Sequence, residues 1–386
     1  MCEIAAQSDV RKRVVILGST GSIGVSALDV IRRNPERFEI LALVAGSNIQ
    51  LLEQQVREFK PRYAALADAA TAMPKLTGTE MLSGQKAILE LAAHPDSDFV
   101  LSAIVGFAGL ASTLAAVKAG KQIALANKES LVCAGELIGA EAEVSGAEII
   151  PVDSEHSAIF QLLQGEELSD LDSVILTASG GPFLRYSQEM LDTVTPEQAL
   201  KHPRWNMGAK VSIDSASLVN KALELIEAHF LFGLEESRIE ILIHPQSIVH
   251  SLVKLKDGSQ LAQLSVPDMR CAIAYALNYP DGRINTGVQG LDLSSVGRLE
   301  FESLDGARFR APMLARQALN GSKAMPAVFN FANEIAVQGF LNGGTKFSRI
   351  VPIIEEALLA FSGRGYDTYD DLVSLKAEVA NWLNFQ

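Results

Sequence analysis

The chain has 386 residues, enough for two or three domains, each with a core of its own. Hydrophobic residues make up 48% and charged residues 20%, and the formal net charge of −13 excludes bulk binding to nucleic acid or to an anionic membrane. Cys2, Cys133 and Cys271 form no C-x-x-C pair and no run of about 18 apolar residues occurs, so the expected setting is cytoplasmic, without disulfide framework, structural zinc or membrane span.

From Arg13 onward, apolar runs alternate with helical patterns. Val14–Leu17 reads as a buried strand. After the glycine loop, Ile23, Ala27, Leu28 and Ile31 fall on one helix face. Phe38–Ala45, Phe99–Val105, Gln122–Ala126 and Ile149–Val152 read as further strands. This alternation predicts an α/β, Rossmann-like, doubly wound domain over residues 1–150. The pattern then changes. Val174–Thr177, Val211–Ile213 and Ile239–Ile243 read as strands, and Ile248–Leu255 with Leu261–Val266 as a hairpin turning at Asp257-Gly258. An α+β domain is expected over 151–285. A Gly-, Asn- and Pro-containing stretch beginning near Asn278 leads into a linker, placed at 286–311. Residues 312–386 are helical in pattern, with helices at Met325–Phe340, Ile350–Phe361 and Leu372–Leu383. No internal repeat is present.

Gly18-Ser19-Thr20-Gly21-Ser22-Ile23-Gly24 lies between the first strand and its helix. Glycines there let the backbone approach a pyrophosphate, and the helix N-terminus supplies amide donors. A tight turn without ligand is the alternative, and the strand–helix context favours a cofactor. The second strand ends Ala45-Gly46-Ser47-Asn48, with no acid to bind ribose hydroxyls. That leaves room for a 2′-phosphate and favours NADPH over NADH.

Asp153-Ser154-Glu155-His156 closes the apolar run before it. Carboxylates this close repel unless a cation lies between them, and at a strand end both can converge on one ion. Farther on, Asn220, Lys221 and Glu224 share one sector of a helical pattern that follows Val211–Ile213. They read either as an acid, an ammonium and an amide for a metal and an anion, or as an exposed ion pair. Ser215 is expected near the start of that helix, where amides are open to an anion. Asp153, Glu155 and Glu224 offer three oxygen ligands and no sulfur, which suits Mg²⁺ or Mn²⁺ better than zinc. The turn at Ser179-Gly180-Gly181 is either phosphate-holding or plain. Trp205, in the loop Lys201–Gly208, is either pinned into a core or part of a lid. His156 is expected to support Glu155 from behind, and His94, His229 and His250 to be structural or surface residues rather than catalytic ones.

Seven motifs then occur in order: GSTGSIG, ANKES, PVDSEHSAIFQ, ASGGPF, HPRWNMG, DSASLVNKALELIEAH and HPQSIVHS. The set resembles the 1-deoxy-D-xylulose 5-phosphate reductoisomerase family, NADPH-dependent enzymes of the non-mevalonate route to isoprenoids. The likeness runs from about residue 13 into the C-terminal helices. It implies a homodimer whose subunits have cofactor, catalytic and C-terminal helical domains, with a lid near 200–208. Its substrate would be a sugar phosphate, with no nucleic-acid or membrane partner. Carried onto matching positions, Asp153, Glu155 and Glu224 resemble the metal ligands. Ser179, His202, Ser215, Asn220 and Lys221 match substrate-holding positions, mainly at the phosphate, and Lys128 and Ser154 match positions near the reacting carbons. Thr20, Gly21, Ser22, Ile23, Gly46, Ser47, Asn48, Asn127, Glu129 and Gly208 match the cofactor-binding set. Ser47 replaces a basic residue common in the family, Arg204 a smaller one, Ala222 a glycine, and Cys271-Ala272 a proline-containing pair.

The implied chemistry is a metal-assisted skeletal rearrangement to a branched aldehyde phosphate, then hydride transfer from NADPH. Lys128 would add positive charge beside the reacting oxygens. Two other readings stay open on the residues alone: a simpler NADP-dependent dehydrogenase, and an NADPH-binding regulator without turnover. Neither uses the three-carboxylate set.

Overall fold

The computed structural model describes residues 11–68, 76–201 and 207–384. The first half builds a parallel sheet from β1 (Lys12–Leu17), β2 (Phe38–Ala45), β3 (Tyr63–Leu66), β4 (Glu80–Ser83), β5 (Phe99–Ser102), β6 (Gln122–Leu125) and β7 (Glu148–Pro151). Their order is β4-β3-β2-β1-β5-β6-β7. The crossovers carry α1 (Ser22–Arg32), α2 (Ile49–Phe59), α3 (Gly84–Ala92), α4 (Leu110–Lys118) and α5 (Lys128–Ser145). Helices on both faces bury the sheet on both sides, so its strands are continuous apolar runs rather than alternating ones. The strand order reverses between β1 and β5, and the crevice beyond their C-terminal ends is where such sheets bind ligands.

The expected strand at 99–105 ends at Ser102, and the one at 122–126 ends at Leu125. The freed residues form the loops of that crevice. Gly18 has φ +92, and a Cβ on it would lie 2.7 Å from the Ala103 carbonyl oxygen. At Gly24 a Cβ would come within 2.5 Å of Ser19 Cα. Both positions need glycine because the loop, β5 and α1 pack backbone to backbone. Gln55, buried in α2, donates to the Ser19 carbonyl at 2.8 Å and pins the same loop.

From β7 the chain passes directly into α6 (Ser154–Leu162) and a second, mixed sheet. Its strands are β8 (Leu171–Ala178), β9 (Ile239–Ile243), β10 (Val249–Leu255), β11 (Gln260–Leu264) and β12 (Glu302–Ser303), in the order β11-β10-β8-β9-β12. β8 and β9 are parallel and the other pairs antiparallel. The hairpin turns at Asp257-Gly258 as expected, with Gly258 at φ +88. Between β8 and β9 lie the short helices α7 (Gln188–Leu191) and α8 (Pro196–Ala199), then α9 (Ala209–Ala216) and α10 (Val219–Phe232). After β11, α11 (Met269–Asn278) packs on α1, and α12 (Leu293–Val296) lies in the stretch expected to be linker.

Val211–Ile213 is therefore not a strand. It is the middle of α9, where Ser212, Ile213, Asp214 and Ala216 are buried and Lys210 pairs with Asp214 one turn on. Alternation over three residues fits either period, and helical packing decides it here. Leu218, at φ +58, breaks the chain between α9 and α10. Ser215 consequently sits in the last turn of α9, not near the start of a helix.

The C-terminal region is helical, with α13 (Ala311–Leu319), α14 (Met325–Leu341), α15 (Ile350–Ala360) and α16 (Tyr369–Asn384). α14 is buried on nearly every side, packing against α13, α15, α16 and also α5. Glu334 on α14 accepts from the Phe107 backbone N–H at 3.0 Å and from Lys376 at 2.9 Å. The helix is thus tied to the loop after β5. Among the described residues, no helix is long and apolar enough to cross a membrane.

Candidate active site

The C-terminal ends of β1, β5, β6 and β7 face α9, α10 and the tip of β8 across a cavity of about 670 Å³. β7 gives way to α6 at Asp153, whose side chain makes no capping bond and projects instead toward Lys128. Glu155 stands in the first turn of α6, and Glu224 is buried in the middle of α10. One carboxylate oxygen from each of these three residues lies within 4.8 Å of the others. The predicted trio does converge, across a strand-to-helix turn and a helix from another part of the chain.

Two lysines interleave with these acids. Lys128, the first residue of α5, pairs with Asp153 and lies 3.2 Å from Glu224 and 3.0 Å from the Asn220 amide oxygen. Lys221 lies 2.7 Å from Glu155 and also pairs with Glu224, which accepts from Asn220 as well. The exposed ion pair is excluded, since Lys221 and Glu224 are both buried.

His156 is not behind Glu155. Its Nε2 lies 2.8 Å from the Glu224 carbonyl oxygen, and its Nδ1 lies 3.3 Å from Glu227 Oε2 and 3.9 Å from Asp153. A carbonyl only accepts, so Nε2 carries the proton. Glu227 was not singled out from the sequence, although its spacing of three residues from Glu224 puts it on the same buried side of α10.

Burial opposes ionisation of Asp153, but Lys128, with His156 and Lys221, outweighs it and holds the carboxyl down at about 2. Burial likewise opposes the Glu155 charge, and Lys221 outweighs it. At Glu224 burial prevails, helped by Glu155, and pushes the carboxyl up to about 7 against the pull of Lys128 and Lys221. Burial and then Asp153 raise Glu227 well above the usual range, and burial lowers His156 to about 4. Three carboxyl groups, Asp153, Glu155 and Glu224, thus share two ammonium groups. The all-oxygen donors and the surplus of acid fit a hard divalent cation.

A cation held by Asp153, Glu155 and Glu224 would have to displace a proton from Glu224 below its pKa. Apparent Mg²⁺ affinity is therefore expected to fall by roughly tenfold per pH unit below 7 and to level off above it. Calorimetric Mg²⁺ titration at several pH values measures this slope. A flat affinity between about pH 5.5 and 7 would mean that Glu224 is ionised throughout.

Beyond β8, Gly180 and Gly181 take φ +83 and +68. A Cβ on Gly181 would lie 2.7 Å from the Ser215 carbonyl oxygen, so the glycine lets the β8 tip abut the end of α9. Ser179 and Ser215 therefore share one side of the cavity with Asn220 and Lys221. Ser154 lines it too. His250, expected to be a structural or surface residue, also borders the cavity, its Nε2 2.8 Å from Ser265 Oγ.

At the other end the cavity is lined by Ser22 and Ile23 of α1, by Asn127 and Glu129, and by Gly208. Asn127 caps α5 through the Ser130 N–H at 3.2 Å and donates to the Gly106 carbonyl at 3.0 Å. Thr20 and Gly21 lie in the glycine loop, and Gly46, Ser47 and Asn48 at the β2 tip, beside the cavity without lining it. Asn48 spends its side chain capping α2. His202, Arg204 and Trp205 lie outside the described residues. Lys210 and the Pro267–Met269 lip border the cavity without having stood out in the sequence.

Three family profiles match the chain in succession. Residues 14–135 match 1-deoxy-D-xylulose 5-phosphate reductoisomerase, 149–232 its C-terminal domain, and 264–382 the DXP reductoisomerase C-terminal domain. The reductoisomerase of Laribacter hongkongensis is 48% identical over 382 residues, covering 96% of this chain and 98% of the relative. That of Geotalea uraniireducens is 50% identical over 352 residues, covering 90% and 91%. A crystal structure of DOX-P reductoisomerase with NADPH, fosmidomycin and magnesium superposes with TM-score 0.88 at 41% identity, over 95% of this chain and 96% of the other. The Zymomonas mobilis enzyme with NADPH does so with TM-score 0.88 at 40% identity, over 96% and 97%. This chain belongs to the 1-deoxy-D-xylulose 5-phosphate reductoisomerase family.

Proposed function

We propose that this chain converts 1-deoxy-D-xylulose 5-phosphate to 2-C-methyl-D-erythritol 4-phosphate in non-mevalonate isoprenoid biosynthesis, using NADPH and Mg²⁺ or Mn²⁺. The observation that carries the reading is the convergence of Asp153, Glu155 and Glu224 with Lys128 and Lys221 at the switch point of a dinucleotide-binding sheet. When bound, the cation supplies Lewis acidity at the substrate ketone, and NADPH supplies hydride.

The chain's own residues then divide the work. Asp153, Glu155 and Glu224 would hold the cation. Lys128 and Ser154 orient the reacting end, and the Lys128 ammonium favours negative charge developing there. Ser179, Ser215, Asn220 and Lys221, with His202, anchor the phosphate, so that binding energy far from the reacting bonds fixes their geometry. The α1 N-terminus with Ser22 and Ile23, the β2 tip, and Asn127, Glu129 and Gly208 receive the cofactor. Of the division into a cofactor domain (1–150), a catalytic domain (151–285), a linker (286–311) and a C-terminal domain (312–386), the first boundary is supported by the change of sheet after β7 and the last by the start of α13, while β12 within 286–311 pairs with β9 of the second sheet. A homodimer is supported by β11, which among the described residues has no strand on its outer edge. A monomer mass in light scattering would remove that part of the reading.

The deciding assay is NADPH oxidation with 1-deoxy-D-xylulose 5-phosphate, run with Mg²⁺ or Mn²⁺ and again with chelator. Turnover that requires both sugar phosphate and cation is expected. Folded protein that binds NADPH but turns over nothing under either condition would overturn the proposal.

A further inference from the structure

A second buried ionic group lies on the wall of the same cavity and shares no member with the carboxylate cluster. Lys210 Nζ lies 3.0 Å from Glu129 Oε1 and 2.7 Å from Asp214 Oδ2. The Lys210 side chain is 18% exposed, that of Glu129 7% and that of Asp214 1%. Asn333, fully buried in α14, donates to the other Asp214 oxygen at 2.9 Å. The group joins α5, α9 and α14, three elements distant in sequence.

Burying such charges is costly, and apolar side chains of similar volume often hold elements together as well or better. What charge-assisted hydrogen bonds add is direction and a single register. Here the register bears on the site, because each end of the bridge is chained to a residue of it. Glu129 follows Lys128, whose ammonium touches Asp153, Asn220 and Glu224. Asp214 precedes Ser215, which lines the cavity as Ser179 does and whose carbonyl lies against Gly181. On α5, the bonds from Asn127 to the Ile104 and Gly106 carbonyls fix the backbone just before Lys128. On α9, Asn333 fixes Asp214. The Lys210 ammonium is the bond between these two anchored pieces.

We propose that Lys210 is a positioning residue for the reaction: held between Glu129 and Asp214 and backed by Asn333, it sets the spacing between the reacting end of the site and its phosphate end. This rests on the reductoisomerase reading above. Misplacing bound groups by about 1 Å can cost roughly a hundredfold in rate without removing any group that touches substrate.

The test compares wild type, Lys210→Met and Lys210→Arg in NADPH oxidation with 1-deoxy-D-xylulose 5-phosphate over a range of Mg²⁺, with thermal midpoints measured alongside. Lys210→Met is expected to lose about 30-fold in kcat, while its Mg²⁺ requirement stays within about twofold of wild type because the cation ligands are intact. Lys210→Arg keeps the charge and is expected to recover about a third of wild-type kcat or more. A Lys210→Met protein with near-normal kcat, whatever its thermal midpoint, would overturn the proposal. So would a loss that extra Mg²⁺ restores. Should Lys210→Met fail to fold, Asn333→Ala decides, since it leaves the Lys210–Glu129 pair in place. About a fivefold loss of kcat is expected there, and none would overturn the proposal. Absence of turnover in wild type would instead overturn the reading of the site on which this rests.

Discussion

Glu224→Gln is expected to lower turnover by roughly a thousandfold while leaving NADPH binding unchanged. The substitution keeps the shape of the side chain and its contact with Asn220, and removes one negative charge from a buried position. Asp153 and Glu155 would then face Lys128 and Lys221 with little negative surplus to attract a divalent cation. Two oxygen ligands instead of three also weaken any cation that does enter. The cofactor end of the cavity is lined by Ser22, Ile23, Asn127, Glu129 and Gly208, whereas the Glu224 side chain bonds to Lys128, Asn220 and Lys221. Steady-state kinetics over a Mg²⁺ series, together with NADPH fluorescence titration, measures both halves. A near-normal rate at ordinary Mg²⁺ would sink the assignment of Glu224 to the cation.

Lys128→Met is expected to act with the opposite signature on the cation. Removing the ammonium takes from Asp153 its nearest positive partner and leaves Glu224 with Lys221 alone, so Mg²⁺ should bind no more weakly than in wild type and is expected to bind more tightly. Turnover should nevertheless fall by roughly a hundredfold or more, because the positive charge proposed to face the reacting oxygens is lost. Calorimetric Mg²⁺ binding and kcat, measured on the same preparation, separate the two effects. If added Mg²⁺ restored full turnover, Lys128 would be only a support for the cation site. Taken together, the two variants ask whether acid and ammonium have distinct tasks in one cluster.

Much of this site can be read from the chain because its signals are local. Gly18, Gly21 and Gly24 mark a strand-to-helix turn within seven residues. Asp153 and Glu155 sit where an apolar run stops, and Asn220, Lys221 and Glu224 are one helical turn apart. The parallel sheet is equally legible, since strands covered on both faces read as unbroken apolar runs. What escapes is whatever depends on a distant partner. Lys210 and Glu129 are 81 residues apart, and Asn333 lies a further 119 residues beyond Asp214. No spacing within α9 reveals that its ion pair belongs to a bridge. Misreading Val211–Ile213 has the same root, because a three-residue alternation is too short to tell two periods apart. His156 and Glu227 meet across α6 and α10, and only that packing turns a plausible support for Glu155 into a partner of Glu227.

The burial of α14 has a consequence for how the molecule is made. Every carboxylate and lysine of the cluster has been synthesised by residue 224, yet the helix that packs under α5, grips the loop after β5 and reaches Asp214 begins only at Met325. A nascent chain therefore carries all the chemical groups of the site long before it carries the scaffold that aims them. Activity should be the last property to return on refolding, after the far-ultraviolet signal of the sheets and helices has already recovered. Simultaneous recovery of the two would mean that α14 docks in the same cooperative step that forms the sheets.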